Sequence, residues 1–125
     1  LLDLCGVDRK AARYVLAEGA DGSSMTRTVA IDRAMDDVLV AWAMNGEMLR
    51  PENGYPLRLV VPGVQGVSWV KYLRRIEVGD SPYFTKDEVL HYVDLMPDGT
   101  HRAFTSIQEC KSVITTPSGG QVLLD

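Results

Sequence analysis

The stretch "GYPLRLVVPGVQGVSWVKYL", residues 54–73, carries two long cationic side chains among its most apolar residues. A strand is predicted at residues 57–61, and its alternation puts the three odd-numbered residues on one face and Arg58 with Val60 on the other. Lys71 follows a Pro-Gly turn and has equally apolar neighbours. Two explanations compete: both side chains reach solvent, or both face a bound anion.

The two cations are more informative together than singly. An arginine or a lysine alone on a strand face is common, because its stem covers apolar surface while its charge stays in water. Two such residues close together in apolar surroundings are costly unless an anion or a carboxylate offsets them. A phosphate would suit both, since Arg58 can bind it through two nitrogens and Lys71 can act as a point charge. The pair therefore predicts a candidate anion site.

Composition limits the classes of protein to consider. The 125 residues suffice for one domain with its own core, and 46% hydrophobic with 24% charged residues is ordinary for a globular chain. A formal net charge of −4 argues against general affinity for nucleic acid. No apolar run approaches the roughly 20 residues of a membrane helix. Hydrolase, P-loop and dinucleotide motifs are absent from the sequence, and its two histidines and two cysteines lack metal-site spacing.

Short strands and small helices separated by long connections predict a mixed α+β domain with a loop-rich sheet. Asn45-Gly46 between apolar flanks predicts a tight hairpin, because both turn positions favour a positive φ. Thr85 and Glu88 have the spacing of a capping box at the start of a short helix. Further predictions are strands at 14–17, 26–31, 57–61, 76–78 and 112–116, a helix capped by Asp32, and a Pro97-Asp98-Gly99 turn.

Several other residues have both an ordinary and a functional interpretation. Asp21 lies just beyond a predicted strand, where a turn aspartate is the commoner role. The carboxylates of Asp36-Asp37 fit a solvated helix end better than a catalytic pair. Trp69 and Tyr92 are each more often packing residues than recognition residues. Residue types alone therefore predict an α+β domain with a candidate anion site.

Both ends of the sequence have the pattern of cuts through a longer protein. The chain opens "LLDLCGV", like the tail of a helix, and closes "SGGQVLLD", a glycine-rich link followed by an apolar run. We expect residues 1–116 to be part of one domain and residues 117–125 to lead into a further, dimerising domain.

The segment "AWAMNGEMLRPENGYPLRLVVPGVQGVSWVKYLRRIEV" resembles the central part of the sulfite oxidase family of molybdopterin-binding oxidoreductases. The resemblance rests on an ordered set: an NG hairpin, a GYP-x-R strand, a VPG turn and a VKYL motif. "LAEGAD" and "KSVITTPSGGQ" extend it over nearly the whole chain. Within the family, the sequence looks most similar to bacterial sulfite or sulfur dehydrogenases of the thiosulfate-oxidation system.

The resemblance implies roles for individual residues at matching positions. Tyr92, 21 residues beyond Lys71 as in the family, would hydrogen-bond the metal oxo group or the substrate oxygen. Where the animal enzymes have a cofactor-contacting histidine, this chain has Asn53, whose amide can donate a hydrogen bond but cannot titrate. The cofactor-binding residues implied by the resemblance are Asp21, Asn53, Arg58, Trp69, Val70 and Lys71.

The resemblance also implies an activity and partners. The cofactor would be molybdenum bound to molybdopterin, and the reaction would oxidise sulfite or sulfane sulfur by oxygen-atom transfer. The electrons would pass to a cytochrome c, in a periplasmic protein that is a homo-oligomer at full length and has no membrane span. The family's metal-ligating cysteine lies upstream of this segment, so neither Cys5 nor Cys110 takes that role and the 125 residues alone should be inactive. Alternatives are a noncatalytic module of the same fold and a sister enzyme acting on another oxyanion or a sulfoxide.

Overall fold

The computed structural model describes residues 1–104, 107–108, 110–117 and 119–121. Within these ranges the chain forms short strands and two six-residue helices joined by long irregular connections, which confirms the predicted mixed α+β class. The strands are β1 Tyr14–Gly19, β2 Thr26–Ala30, β3 Leu39–Ala41, β4 Ala43–Met44, β5 Glu47–Met48, β6 Arg58–Val60, β7 Leu73–Gly79, β8 Val93–Leu95 and β9 His101–Ala103. The helices are α1 Ile31–Asp36 and α2 Lys86–His91, with single 3-10 turns at Pro51–Asn53 and Gly66–Ser68.

The main sheet has three antiparallel strands in the order β2-β1-β7. The central strand β1 is buried from Val15 to Gly19, as expected for an apolar strand with a neighbour on each side. Its residue Ala17 lies opposite Arg27 of β2 and Ile76 of β7. β7 is longer than the predicted strand at 76–78, because its main chain follows β1 along the whole length of that strand.

The strand that carries Arg58 has partners on both sides. β6 pairs antiparallel with β3, placing Arg58 opposite Ala41. On its other side, the Leu59 N–H donates to the Val70 carbonyl at 2.8 Å, and the Leu73 N–H donates to the Leu57 carbonyl at 2.8 Å. The quoted stretch therefore folds back on itself. It contributes most of the buried core, whose members are Ala17, Val29, Leu59, Val61, Val64, Val70 and Leu73.

Both predicted turns with glycine are confirmed. Asn45 and Gly46 adopt φ values of 55° and 81° between β4 and β5, as a two-residue hairpin of this type requires. The turn at residues 97–99 joins β8 to β9, with the Met96 N–H donating to the Thr100 carbonyl at 2.8 Å.

The helix predictions are right in place and wrong in detail. α1 begins at Ile31, so its N-cap is Ala30 and the prediction of Asp32 as the cap is wrong. β2 runs directly into the helix, which leaves Asp32 in the first turn, where a carboxylate still favours the helix dipole. At α2 the N-cap is Thr85 as predicted, but its hydroxyl donates to the Glu88 carboxylate at 2.8 Å and caps no helix N–H.

The strand predicted at residues 112–116 is wrong. These residues form no strand, and Val113 and Ile114 are 79% and 81% exposed. An apolar run becomes a strand only where a partner strand completes its hydrogen bonds, and the described residues supply none here. The predicted domain boundary at 116/117 stays a prediction, and residues 118 and 122–125 of the proposed link lie outside the described residues.

Candidate anion and cofactor site

Arg58 is held in place by main-chain carbonyl groups from two loops. Its Nη1 donates to the Asn53 carbonyl at 3.0 Å, and its Nη2 lies 3.4 Å from the Trp69 carbonyl. The guanidinium carbon also lies 5.7 Å from the centroid of the Trp69 ring. The structure therefore brings together Arg58, Asn53 and Trp69, three of the residues predicted from the sequence.

The run that follows Gly66 is fixed from within the fold. The Trp69 indole N–H donates to the Val61 carbonyl at 2.8 Å, which anchors the ring against the core. Val70 is fully buried, and its carbonyl accepts the Leu59 N–H. Because the carbonyl already has a partner, the N–H of Val70 is the main-chain group that could contact a cofactor. That contact stays a prediction.

Lys71 has an exposed side chain on a closely packed main chain. Its ammonium donates to the Glu52 carbonyl at 2.6 Å. A Cβ added at Gly19 would lie 2.7 Å from the Lys71 carbonyl oxygen, and one added at Gly54 would lie 2.9 Å from the Lys71 Cβ. Gly54 also has φ of 103°, where a side chain would be strained. Lys71 thus packs closely against two glycines, neither of which has room for a side chain.

Asp21 lies beside this segment, but its carboxylate serves its own turn. The Ala20 N–H donates to the Tyr72 carbonyl at 2.8 Å, which attaches the end of β1 next to Lys71. Oδ1 of Asp21 accepts the Met25 N–H at 3.0 Å and lies 3.2 Å from the Ser23 hydroxyl. The turn-aspartate interpretation matches this geometry, and a pterin contact by Asp21 stays a prediction.

Tyr92 belongs to a neighbouring cluster. It follows α2, and its N–H donates to the Glu88 carbonyl at 3.2 Å. Its ring lies under the Arg27 guanidinium, with 4.6 Å between the guanidinium carbon and the ring centroid. Tyr92, Arg27 and Ser68 line a narrow crevice with an internal volume of about 10 Å³. Ser68 precedes Trp69, so the 3-10 turn at Gly66–Ser68 separates the cluster of Arg58 from that of Tyr92.

Sequence reasoning missed Arg27 and Glu88, which are 2% and 5% exposed. A signal for Arg27 was present, because the alternation of β2 puts it on the same face as buried Val29. Glu88 was considered only as a capping residue. Its carboxylate instead accepts the Thr28 N–H at 2.6 Å and the Thr28 hydroxyl at 2.9 Å.

Arg58 and Lys71 are bound by main-chain carbonyl groups and not by carboxylates in the described residues. No ion pair within the described part of the chain includes either residue. Carbonyl dipoles satisfy several of their N–H groups, while the buried Nε of Arg58 has no hydrogen-bond partner. Such a donor set keeps its net charge and fits a phosphate-bearing ligand. Lys71 is exposed and so reaches solvent, Arg58 is half-buried, and a bound anion at the pair stays a prediction.

Across the described ranges, no three His, Cys, Asp or Glu side chains come close enough together to hold a metal ion. Cys5 and Cys110 are both free and exposed. No described helix has the length and apolar character to cross a membrane.

Comparison with known proteins gives a family match. Residues 1–88 match the profile of the family described as "Oxidoreductase molybdopterin binding domain". The structure superimposes with a TM-score of 0.86 on the sulfane dehydrogenase SoxCD from Paracoccus pantotrophus, at 47% sequence identity over 94% of this chain. The match covers 30% of the dehydrogenase chain.

Nitrate reductases are also similar to this chain. It is 45% identical to a nitrate reductase [NADPH] of Phytophthora infestans over 64% of its length, and 36% identical to nitrate reductase [NADH] 1 of Phaseolus vulgaris over 98%. It spans 10% and 17% of the lengths of those two proteins.

Proposed function

Because this chain belongs to the oxidoreductase molybdopterin-binding domain family, we propose that the full-length protein oxidises sulfite or sulfane sulfur by oxygen-atom transfer. With sulfite, one oxygen atom comes from water, and the products are sulfate, two protons and two electrons. A periplasmic cytochrome c accepts the electrons one at a time. The likeness to the sulfane dehydrogenase over 94% of the chain supports this choice of substrate class.

The observation that carries the proposal is the Arg58 guanidinium, which is held by the Asn53 and Trp69 carbonyl groups and forms no ion pair within the described residues, with the Lys71 ammonium on the carbonyl of Glu52, the residue before Asn53. Arg58 and Lys71 bind the phosphate of molybdopterin, and the Asn53 amide and the Trp69-Val70 main chain supply hydrogen-bonding groups for its polar edges. Asp21 accepts hydrogen bonds from the pterin ring. The bound cofactor supplies the metal-based redox chemistry.

Tyr92 is the residue proposed to contact the substrate. Its phenol can donate a hydrogen bond to an oxygen of the reacting sulfur compound and so orient it. The ring lines a narrow crevice with Arg27 and with Ser68, the residue that precedes the proposed cofactor anchor Trp69.

A second candidate is reduction of nitrate, the oxyanion substrate of a sister enzyme. Nitrate would take up two electrons and two protons and give nitrite and water. The likeness to nitrate reductases, at 45% identity over 64% of the chain and 36% over 98%, favours this alternative. A noncatalytic module of the same fold is the third possibility.

The test uses the full-length protein purified from a host that makes the molybdenum cofactor. We expect stoichiometric molybdenum, reduction of cytochrome c by sulfite or a sulfane donor, and little nitrite formation from nitrate with a reduced viologen. Faster turnover of nitrate would overturn the choice of a sulfur substrate, and protein without molybdenum would indicate the noncatalytic module.

The same preparation tests the cofactor anchors. Arg58→Ala should lower molybdenum occupancy about tenfold, the effect of losing one hydrogen-bonded charge. Arg75→Ala is the matched control, because Arg75 is a strand arginine with a 57% exposed side chain on β7. Equal occupancy in the two variants would contradict the anchoring role of Arg58.

A further inference from the structure

We propose that Arg27 and Glu88 are positioning residues that fix the ring of Tyr92. Nothing in the family match or in the relatives' names assigns a role to either residue. The inference rests on the proposed substrate contact of Tyr92, and adds how the fold sets the position of that side chain.

Arg27 is an unusual buried cation. It is 2% exposed, its Nη1 donates to the Thr26 carbonyl at 2.8 Å, and its Nε has no hydrogen-bond partner. No carboxylate within the described ranges forms an ion pair with it. Burying a charge in this way costs free energy, and the compensating partner that the structure provides is the face of the Tyr92 ring at 4.6 Å. A desolvated guanidinium over an aromatic face is a favourable arrangement.

Glu88 joins the two elements that carry this pair. Its carboxylate accepts both the N–H and the hydroxyl of Thr28, the residue after Arg27 on β2. The Thr85 hydroxyl donates to the same carboxylate at 2.8 Å. A carboxylate that is 5% exposed and accepts three hydrogen bonds is fully engaged in holding α2 against β2.

The Glu88–Thr28 hydrogen bonds and the Arg27–Tyr92 contact both restrict Tyr92. Glu88 sets the distance between β2 and α2, and the chain leaves α2 one residue before Tyr92, whose N–H is bonded to the Glu88 carbonyl. This places the Tyr92 ring beneath the Arg27 guanidinium. Each contact removes a freedom of Tyr92, the first at its main chain and the second at its ring. A phenol held in this way pays less entropy when it orients a substrate.

Direct binding of the substrate by Arg27 is the competing role, and kinetics distinguishes the two. A residue that binds the substrate anion raises KM when it is removed, whereas a residue that orients a reacting group lowers kcat. In the full-length, molybdenum-loaded protein, we expect Arg27→Met to lower kcat about tenfold per molybdenum with KM within about twofold of wild type. Arg27→Lys, which keeps the cation, should recover part of the loss. Arg75→Met is the matched control and should leave both parameters unchanged.

A second readout does not depend on activity. With 3-fluorotyrosine incorporated only at position 92 of the full-length protein, the fluorine NMR signal should shift and sharpen in Arg27→Met as the ring becomes mobile. Glu88→Ala should have the same effect, and Glu88→Gln a smaller one, because the amide oxygen still accepts the Thr28 N–H. Arg75→Met should leave the signal in place.

The outcomes separate this inference from the proposed function. A fluorine signal unaffected by Arg27→Met and Arg27→Lys overturns the positioning role, whatever the activity. A rise in KM at unchanged kcat overturns it in favour of substrate binding. If the signal moves while Tyr92→Phe retains full turnover, the positioning stands and the substrate role of Tyr92 fails.

Discussion

At the scale of single residues, the two cations of the quoted stretch differ in how they are held. Arg58 is half-buried and bonded to carbonyl groups of Asn53 and Trp69, while Lys71 is exposed and its ammonium donates to the Glu52 carbonyl. The two residues share a closely packed main chain. The main chain of Arg58 is paired with β3, and Lys71 packs closely against Gly19 and Gly54.

Gly54 is the residue where this close packing is most testable. Gly54→Ala places a methyl group 2.9 Å from the Lys71 Cβ and forces a side chain into φ of 103°. We expect it to lower the free energy of unfolding by about 2 kcal/mol, measured by urea denaturation of the full-length protein. Gly22→Ala is the control, because Gly22 has a negative φ and open space around its Cα. Equal stability of the two variants would show that the contact is not constraining.

At the scale of elements, the central strand β1 and its neighbour β7 are also joined through charged side chains. Glu18, with an 11% exposed side chain, accepts the Arg74 Nε–H at 3.0 Å, and Arg75 lies 3.6 Å away. The hydrogen bond from Arg74 holds the pKa of the Glu18 carboxyl below its ordinary value, against the opposing effect of burial. A carboxyl with a lowered pKa binds fewer protons in the folded state than in the unfolded state, so its contribution to stability falls as the pH falls.

The prediction concerns the acid side of the stability profile. The contribution of Glu18 is present above about pH 5 and is lost as the pH falls through the pKa of the folded state. Glu18→Gln should therefore unfold more readily at neutral pH and show a shallower loss of stability on acidification, measured as the urea midpoint against pH. Glu47→Gln should behave like wild type, because the Glu47–Arg50 pair is exposed on both sides. Parallel profiles for wild type and Glu18→Gln would contradict the prediction.

Local signals in the sequence predicted the elements that depend on neighbouring residues. Asn45-Gly46 defines its hairpin, and Thr85 begins its helix, because these structures are decided within a few residues. The partner of Glu88 could not be predicted in the same way. Thr28 is distant in the sequence, and only the packing of α2 on β2 brings the two together.

The same limit applies to the candidate site and to the failed strand. Residue type and spacing identified Arg58 and Lys71 as a charged pair, but not the carbonyl groups that bind them. Arg27 was missed because its aromatic partner Tyr92 comes from another element. The run at 112–116 has the composition of a strand, yet no described strand lies beside it.

At the scale of the whole molecule, this chain matches 30% of the sulfane dehydrogenase chain and smaller fractions of the nitrate reductases. Exposed large side chains such as Trp42 and Met48 lie on the surface of the 125 residues, at 60% and 54% exposure.

We predict that the 125-residue chain alone does not catalyse sulfite oxidation. It should retain less molybdenum than the full-length protein when both are made in the same cofactor-producing host, because one group of anchors contributes only part of the binding free energy. Metal analysis and cytochrome c reduction by sulfite check this expectation. Turnover by the short chain at the full-length rate would refute it.

The close packing of the main chain at Lys71 affects the entropy that is lost when an anion binds there. A flexible loop that closes on an anion loses backbone freedom in proportion to its length, which weakens the complex. Here Lys71 already packs closely against Gly19 and Gly54 in the folded protein, so capture of an anion orders little more than one lysine side chain. The loss of main-chain conformational entropy thus lowers the free energy of unfolding of the protein and does not weaken the binding of the ligand.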